Sequence, residues 1–416
     1  MISFFFFFIG IIVYLYSAKY LFFYYITWIV LFPFLSVLLI PTADWNAISG
    51  MANYFLLFIY VFDVIKTGNK HSAIQVCIMF LLGFYFIFAS LLHDIPMMYY
   101  IKHYVSVFMP LFLMYPFVRR INEFSKNTII KYLLFLLLLE IVVCLCQMHL
   151  SLFAIAPRSD SAFKYNMSLT NGTLNGNNLL ASFVTFLTLC VLILSKRIDK
   201  CKIYLLLMLV LYIILHSGIR TYLICFMFFV PVIIYMKTKY KKLLAIILLV
   251  VPFILYTMYN NLGNIMGYTT KDASNSLERQ LYGISDTFLA SNIEESTMSL
   301  SWFLWYYFKE HPFWGCGQYF KSIGYGNVIS FDTDNLTDAT LMFHLAEFGL
   351  IGFLLMVIFF YKLSNICYTN FRQILIILYL ILISITDIGI FSSLNQALLM
   401  LMIFTSQNNN EKELTS

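Results

Sequence analysis

YLFFYYITWIVLFPFLSVLLIP, residues 20–41, carries no charged side chain over its whole length. At ~1.5 Å of rise per residue, a helix of this length crosses the ~30 Å hydrocarbon core of a bilayer. The pattern recurs on both sides of it. Apolar segments fall at roughly 2–18, 50–65, 72–93, 97–118, 128–149, 173–195, 202–216, 219–236, 243–260, 338–361, 373–389 and 391–405. The composition agrees, with 61% hydrophobic, 19% aromatic and 11% charged residues among 416. A soluble domain carries about 25% charged residues. So few charges cannot cover a water-facing surface, which excludes a soluble enzyme, a nucleic-acid binder and a disordered chain. The expected fold is an all-α polytopic integral membrane protein with about 12–13 transmembrane helices. Residues 1–416 are expected to form a single transmembrane domain, and one large outer loop is expected at 261–337. The run at 2–18 lacks a basic n-region and a small-residue cleavage site, so it reads as a retained helix.

The formal net charge of +6 is no nucleic-acid signal, because the basic residues sort by membrane side. Clusters at Lys66/Lys70, Arg119/Arg120/Lys126, Lys196/Arg197/Lys200/Lys202, Lys237/Lys239/Lys241/Lys242 and Lys362/Arg372 occupy alternate connections, as the positive-inside rule requires. With Lys19, Lys131 and Lys412, they place 18 of the 26 basic residues on the cytoplasmic side. The unusual segments then fall outside, at about 150–172 and at 261–337. A connection as long as the second, against a typical ~4–6 residues, is usually functional. The eight cysteines lack metal-site spacing, and seven lie in or beside apolar runs, where they read as small buried residues.

Arg220 is the most informative single residue. It opens an apolar helix in His216-Ser217-Gly218-Ile219-Arg220, directly after a helix break. An Arg within a membrane span costs roughly 2.5–3.5 kcal/mol on insertion scales, so such a residue faces a wet cavity and a partner, or snorkels to headgroups. A helix start adds free N–H groups and partial positive charge, which suits an anionic diphosphate. Arg279, in the outer loop beside Glu278, offers a second bidentate phosphate clamp or a solvated surface pair. Asn175 and Asn178 belong to Asn171-Gly-Thr-Leu-Asn-Gly-Asn-Asn178, which reads as turn and capping chemistry or as a polar lining for substrate. Asp332, Asp334 and Asp338 precede the expected helix at 338–361. A carboxylate there serves as general base toward a sugar hydroxyl, or as a helix cap. Asp332-Thr333-Asp334-Asn335 lacks the Gly and the terminal Glu of a calcium loop. His344 and Glu347 follow at helical spacing. Glu140 and Asp387 are intramembrane carboxylates that would suit a proton-coupled transporter.

In chain order, the sequence has a Gly-Thr entry (Gly172-Thr173 through Asn178-Leu179-Leu180-Ala181), a Ser-x-x-Arg helix start (Ser217, Arg220) and a long outer loop. It continues with His311-Pro-Phe-Trp-Gly315-Cys-Gly317-Gln-Tyr-Phe320 and with Asp338 eleven residues before Gly349-Leu-Ile-Gly352. This order resembles the O-antigen ligase/polymerase superfamily, the Wzy-type polymerases and WaaL-type ligases, over roughly residues 170–360. Ligases resembling this chain carry His where Asp338 stands, and their Ser and Arg are adjacent. The usual Arg before the Pro-x-x-Gly segment is replaced here by Thr297 and Met298. These departures favour a polymerase over a ligase.

The resemblance implies metal-independent glycosyl transfer without a cofactor at the outer face of a bacterial inner membrane. Undecaprenyl-diphosphate-linked oligosaccharide serves as both donor and acceptor. Arg220 and Arg279 would hold the diphosphate and Asp338 would take the acceptor's proton. Asn175, Asn178, His216, Ser217, Asp334 and His344 would line the substrate path. It also implies membrane lipid, a chain-length regulator and a flippase as partners. The rival from another class is a transporter or flippase for lipid-linked sugars, which would show symmetric repeats and charges spread through both halves of the membrane. No repeat is found in the sequence, and the N-terminal half has few membrane charges.

Overall fold

The structure is a computed structural model that describes residues 2–40, 43–67, 81, 83–85, 87–88, 91–92, 113, 117, 120–150, 152, 172–174, 177–195, 200–217, 220–237, 308–309, 311–315, 345–346, 348–355, 394–399 and 401. Among these residues every regular element is helical and no strand occurs. Two helical runs, Ala18–Leu39 and Lys126–Leu150, are long and apolar enough to cross a membrane. Five more helices are apolar but shorter. The chain divides into two compact units, Met1–Phe124 with Glu294–Ser416, and Ser125–Ile293.

The first unit is built on α1 (Ile2–Tyr16), α2 (Leu21–Leu39) and α3 (Trp45–Thr67). Helix α1 is apolar on every side, so no polar stripe orients it, and aromatic packing does so instead. Phe6 stacks on Phe32 of α2 at 4.1 Å between ring centroids, and Phe7 meets Phe55 of α3 edge-on at 5.2 Å. Gly10 sits where these helices come closest, and a Cβ there would land on the Phe55 ring. Helix α3 begins six residues after α2 ends and is capped by Asp44, whose Oδ1 accepts the Ala47 N–H. It starts five residues before the apolar run at 50–65. Its polar first turns are accommodated because α2 answers them: the Tyr25 hydroxyl donates to Asn53 Oδ1 at 2.6 Å, and Trp28 Nε1 donates to the Ile48 carbonyl at 3.0 Å.

At the other end of α3, Asp63 is nearly buried and draws three segments together. It accepts the Tyr14 hydroxyl at 2.7 Å and Arg120 Nη2 at 2.8 and 3.0 Å. Phe124 packs against Tyr20 and Phe23, with the Lys19 ammonium 5.4 Å from its ring centre. Lys19 and Arg120, which the charge pattern assigns to one side of the membrane, therefore lie at one end of this unit, together with the turn of α3 that carries Lys66.

The second unit holds α4 (Lys126–Leu150), α5 (Asn177–Leu194), α6 (Lys200–Ser217) and α7 (Arg220–Lys237). α5 packs on each of the other three, and its side chains from Leu180 to Leu194 are buried throughout. A helix apolar on all faces occupies such a central place. The connection of five residues before α6 and that of two before α7 leave only antiparallel neighbours. One end of the unit therefore gathers the last turns of α4 and α6 and the first turns of α5 and α7.

The segment expected as one helix over 338–361 is helical at 345–346 and 348–355, but Gly349 inside it stands at φ +63°. Its regular ladder is interrupted there, because the N–H groups of Leu350 and Ile351 donate to the carbonyls of Pro312 and Phe313.

Asp63→Ala should lower the unfolding midpoint of the purified protein in detergent, approaching the ~3–5 kcal/mol lost when one member of a buried pair is removed. Asp63→Leu combined with Arg120→Met should recover most of that loss. Equal midpoints for Asp63→Ala and the parent would rule out the pair as an anchor.

Candidate functional site

The gathered end of the second unit is organised by a carboxylate. Glu140 lies within α4 and is fully buried. Its Oε2 accepts the Thr173 backbone N–H at 2.9 Å, and its Oε1 accepts the Thr173 hydroxyl. One helical turn pair further on, Gln147 Nε2 donates to the Gly172 carbonyl at 2.8 Å, while its Oε1 accepts the Gly172 N–H at 2.9 Å. Glu140, Cys144 and Gln147 stand at i, i+4 and i+7, on one face of α4. They hold the Gly-Thr turn against that face just before α5 begins. Gly172 takes φ +59°, and a Cβ on it would strike Glu140 Oε2 and the Leu180 methyl. Glycine is therefore required twice over, by backbone conformation and by space.

At the same end of this unit, α6 ends in His216 and Ser217, and α7 begins with Arg220. Ser217 is buried, and its hydroxyl donates to the Ile214 carbonyl at 2.7 Å. His216 Nδ1 lies 3.0 Å from the Tyr212 carbonyl. A carbonyl only accepts, so this nitrogen carries the proton. The Tyr212 hydroxyl in turn shares a hydrogen bond of 3.1 Å with His149 Nε2, at the end of α4. The backbone of Arg220 opens α7, and that of Asn178 lies in the first turn of α5. The break between α6 and α7 leaves the first N–H groups of α7 without intrahelical acceptors. Backbone donors of this kind, with an arginine at the same position, bind anions.

Asn175, Arg279, Asp334, Asp338 and His344 lie outside the described residues, as does most of the loop at 261–337. Ser217, His216, Arg220 and Asn178 are thus the expected site residues that the structure places at one end of one unit. Glu140, which the sequence offered as an intramembrane carboxylate, has both of its oxygens engaged by Thr173. Gln147, His149 and Tyr212 were not singled out by the sequence. The signal for Gln147 was its spacing of seven from Glu140 in an otherwise apolar helix. Nothing local marked Tyr212, one of 30 tyrosines. Among the described residues no group of three or more His, Cys, Asp or Glu side chains comes together. Cys144, Cys190 and Cys225 are buried.

Two further stretches from the motif order meet in the first unit. The turn His311–Gly315 closes on itself through Gly315 N–H and the His311 carbonyl, 2.9 Å apart, and then accepts Leu350 and Ile351. Gly349 packs so tightly on it that a Cβ would overlap the Phe313 carbonyl and the Gly315 nitrogen. Tyr85 seals the join: its hydroxyl donates to the Phe348 carbonyl, and Trp314 lies parallel to its ring at 6.3 Å. The Pro-x-x-Gly and Gly-x-x-Gly segments are therefore two halves of one clasp.

The chain matches no protein-family model, and no curated protein matches it. What the described residues define is an all-helical protein with helices able to cross a membrane and a helix-end site rich in backbone donors.

Thr173→Val removes the hydroxyl but keeps the shape, leaving a buried carboxylate oxygen without its donor. Thermal unfolding in detergent should show a loss of about 1–3 kcal/mol, and Thr173→Ser should restore it. An unchanged midpoint in Thr173→Val would mean that Glu140 is met by something else.

Proposed function

We propose that this chain is a polymerase of lipid-linked oligosaccharides. It joins undecaprenyl-diphosphate-linked repeats into O-antigen or capsular polysaccharide at the outer face of a bacterial inner membrane. In this reading the chain crosses the membrane about 12–13 times, and the loop at 261–337 lies outside. The observation that carries it is the start of α7 at Arg220, immediately after the end of α6, at the same end of the unit as the Gly-Thr turn held by Glu140 and Gln147. The loosely ordered motifs that resemble the ligase/polymerase superfamily support it further.

The chemistry asks for what these residues offer. The acceptor hydroxyl of one repeat attacks the anomeric carbon of the other, and the bond from that carbon to the diphosphate oxygen breaks. The leaving diphosphate gains charge, so fixed cations and oriented N–H groups stabilise it. Arg220 and the first turn of α7 serve here, with Arg279 as the second cation. The acceptor's proton passes to Asp338. The apolar body takes the polyprenyl tails. A chain-length regulator and a flippase would work alongside it. Replacing Asp338 by the ligase-type His would suit a lipid A–core acceptor, which is why the polymerase is preferred over the ligase. The bonds from Thr173 to both oxygens of Glu140 support a holding part for this carboxyl group over a transporter's proton relay.

Deleting the chain should leave single repeats attached to the final carrier and no long polymer, seen as a collapsed polysaccharide ladder. Arg220→Ala should reproduce that pattern with normal protein levels in the membrane. Arg220→Lys should elongate only in part, because an ammonium cannot make the bidentate contact. Asp338→Asn should slow elongation by about 10²–10⁴-fold if it is the base. Long polymer stranded on undecaprenyl diphosphate in the deletion strain would assign the chain as a ligase. A normal ladder in Arg220→Ala would remove the diphosphate seat.

A further inference from the structure

The ends of α4 and α6 carry an aromatic surface that the diphosphate seat leaves unexplained. The Tyr212 hydroxyl bonds to His149 Nε2 at 3.1 Å, and the two ring planes are within 10° of each other with centroids 6.0 Å apart. The two near-parallel rings, joined by this bond, present adjacent faces that bridge two helices. His216 rests against Tyr212 at 4.2 Å between centroids, tilted by 47°, and its Nδ1–H holds the Tyr212 carbonyl. It backs the plane from the next turn of the same helix. His149 is exposed, and Tyr212 and His216 are half-buried.

A pyranose ring presents a face of C–H groups, which packs on the negative face of an aromatic ring. Its rim hydroxyls find partners in the phenol oxygen and the imidazole nitrogens of the same surface. Tyr212 precedes Ser217 by five residues, about 7–8 Å along α6 at ~1.5 Å per residue. Arg220 begins the next helix after a two-residue break. In a lipid-linked repeat the first sugar is bonded directly to the diphosphate, so a sugar seat belongs within a ring or two of a diphosphate seat. We infer that the Tyr212–His149 plane is a carbohydrate subsite, which takes a sugar ring of the polyprenyl-diphosphate-linked repeat. The inference rests on the polymerase reading for the identity of that substrate, and it adds the part of the chain that recognises sugar rather than phosphate.

The test uses the full-length chain in lipid nanodiscs and two probes. One is the lipid-linked repeat extracted from a strain lacking the chain, and the other is undecaprenyl diphosphate with no sugar. The parent protein should bind the sugar-bearing probe more tightly. Tyr212→Ala and His149→Ala should each weaken that binding about five- to tenfold, the worth of one aromatic packing contact, and leave the bare diphosphate unaffected. Tyr212→Phe, which keeps the ring and loses its link to His149, should fall between. Arg220→Ala should weaken both probes. Equal losses for both probes in Tyr212→Ala and His149→Ala, or no preference for the sugar-bearing probe in the parent, would overturn the subsite. If Arg220→Ala leaves both probes unchanged while the ring variants stay selective, the diphosphate seat fails and the carbohydrate subsite stands. His149, exposed at a helix end, carries the test if Tyr212→Ala does not accumulate.

Discussion

A carboxylate in the middle of an apolar helix has to be met by donors from its own protein, because hydrocarbon offers none. Glu140 is met by the backbone and hydroxyl of Thr173, thirty-three residues along the chain. The cost of leaving it unmet is what brings the chain back onto α4 at that point. Once Thr173 is held, Gly172 must adopt a left-handed conformation against Glu140, and Gln147 closes both backbone groups of that glycine. α5 then starts a few residues on, with α6 and α7 packed around it. The α6–α7 junction and Arg220 thus belong to a unit organised around one buried carboxyl group.

The first unit follows the same logic at a different place. Asp63 collects Tyr14 and Arg120, so the C-terminal ends of α1 and α3 and the turn at 120–123 share one anchor. The clasp between His311–Gly315 and Gly349 uses backbone instead of charge. Two carbonyls of a turn take the two N–H donors that a left-handed glycine turns away from their helix. In each case a polar group inside an apolar body selects a partner far along the chain, and aromatic packing fills in around the choice.

Most helices were legible because a span is a local property. The apolar runs at 20–41, 128–149, 202–216 and 219–236 correspond to α2, α4, α6 and α7 within a few residues. α3 extends beyond its apolar run at 50–65, since Asn46 and Ser49 make its first turn polar. Tyr25 and Trp28 of α2 supply the partners that let a more polar stretch stay helical. The break at Gly349 was not legible, because a glycine in an apolar run is compatible with an unbroken helix. Of the site, Arg220 and the Gly-Thr turn stood out by residue type. Tyr212 and His149 did not, since neither differs locally from any other aromatic or polar residue at a helix end.

The sequence by itself determined that the chain is helical and apolar enough for a membrane, roughly where its helices begin and end, and where cations interrupt them. Those features depend on runs of neighbouring residues and on the cost of burying charge. Only the tertiary structure decided that Glu140 holds Thr173, that His311–Gly315 receives Gly349, and that His149 and Tyr212 join across two helices. Each is a pairing of groups dozens of residues apart. In an apolar chain many partners would satisfy the same polar atom, and the choice among them is made by which helices pack together.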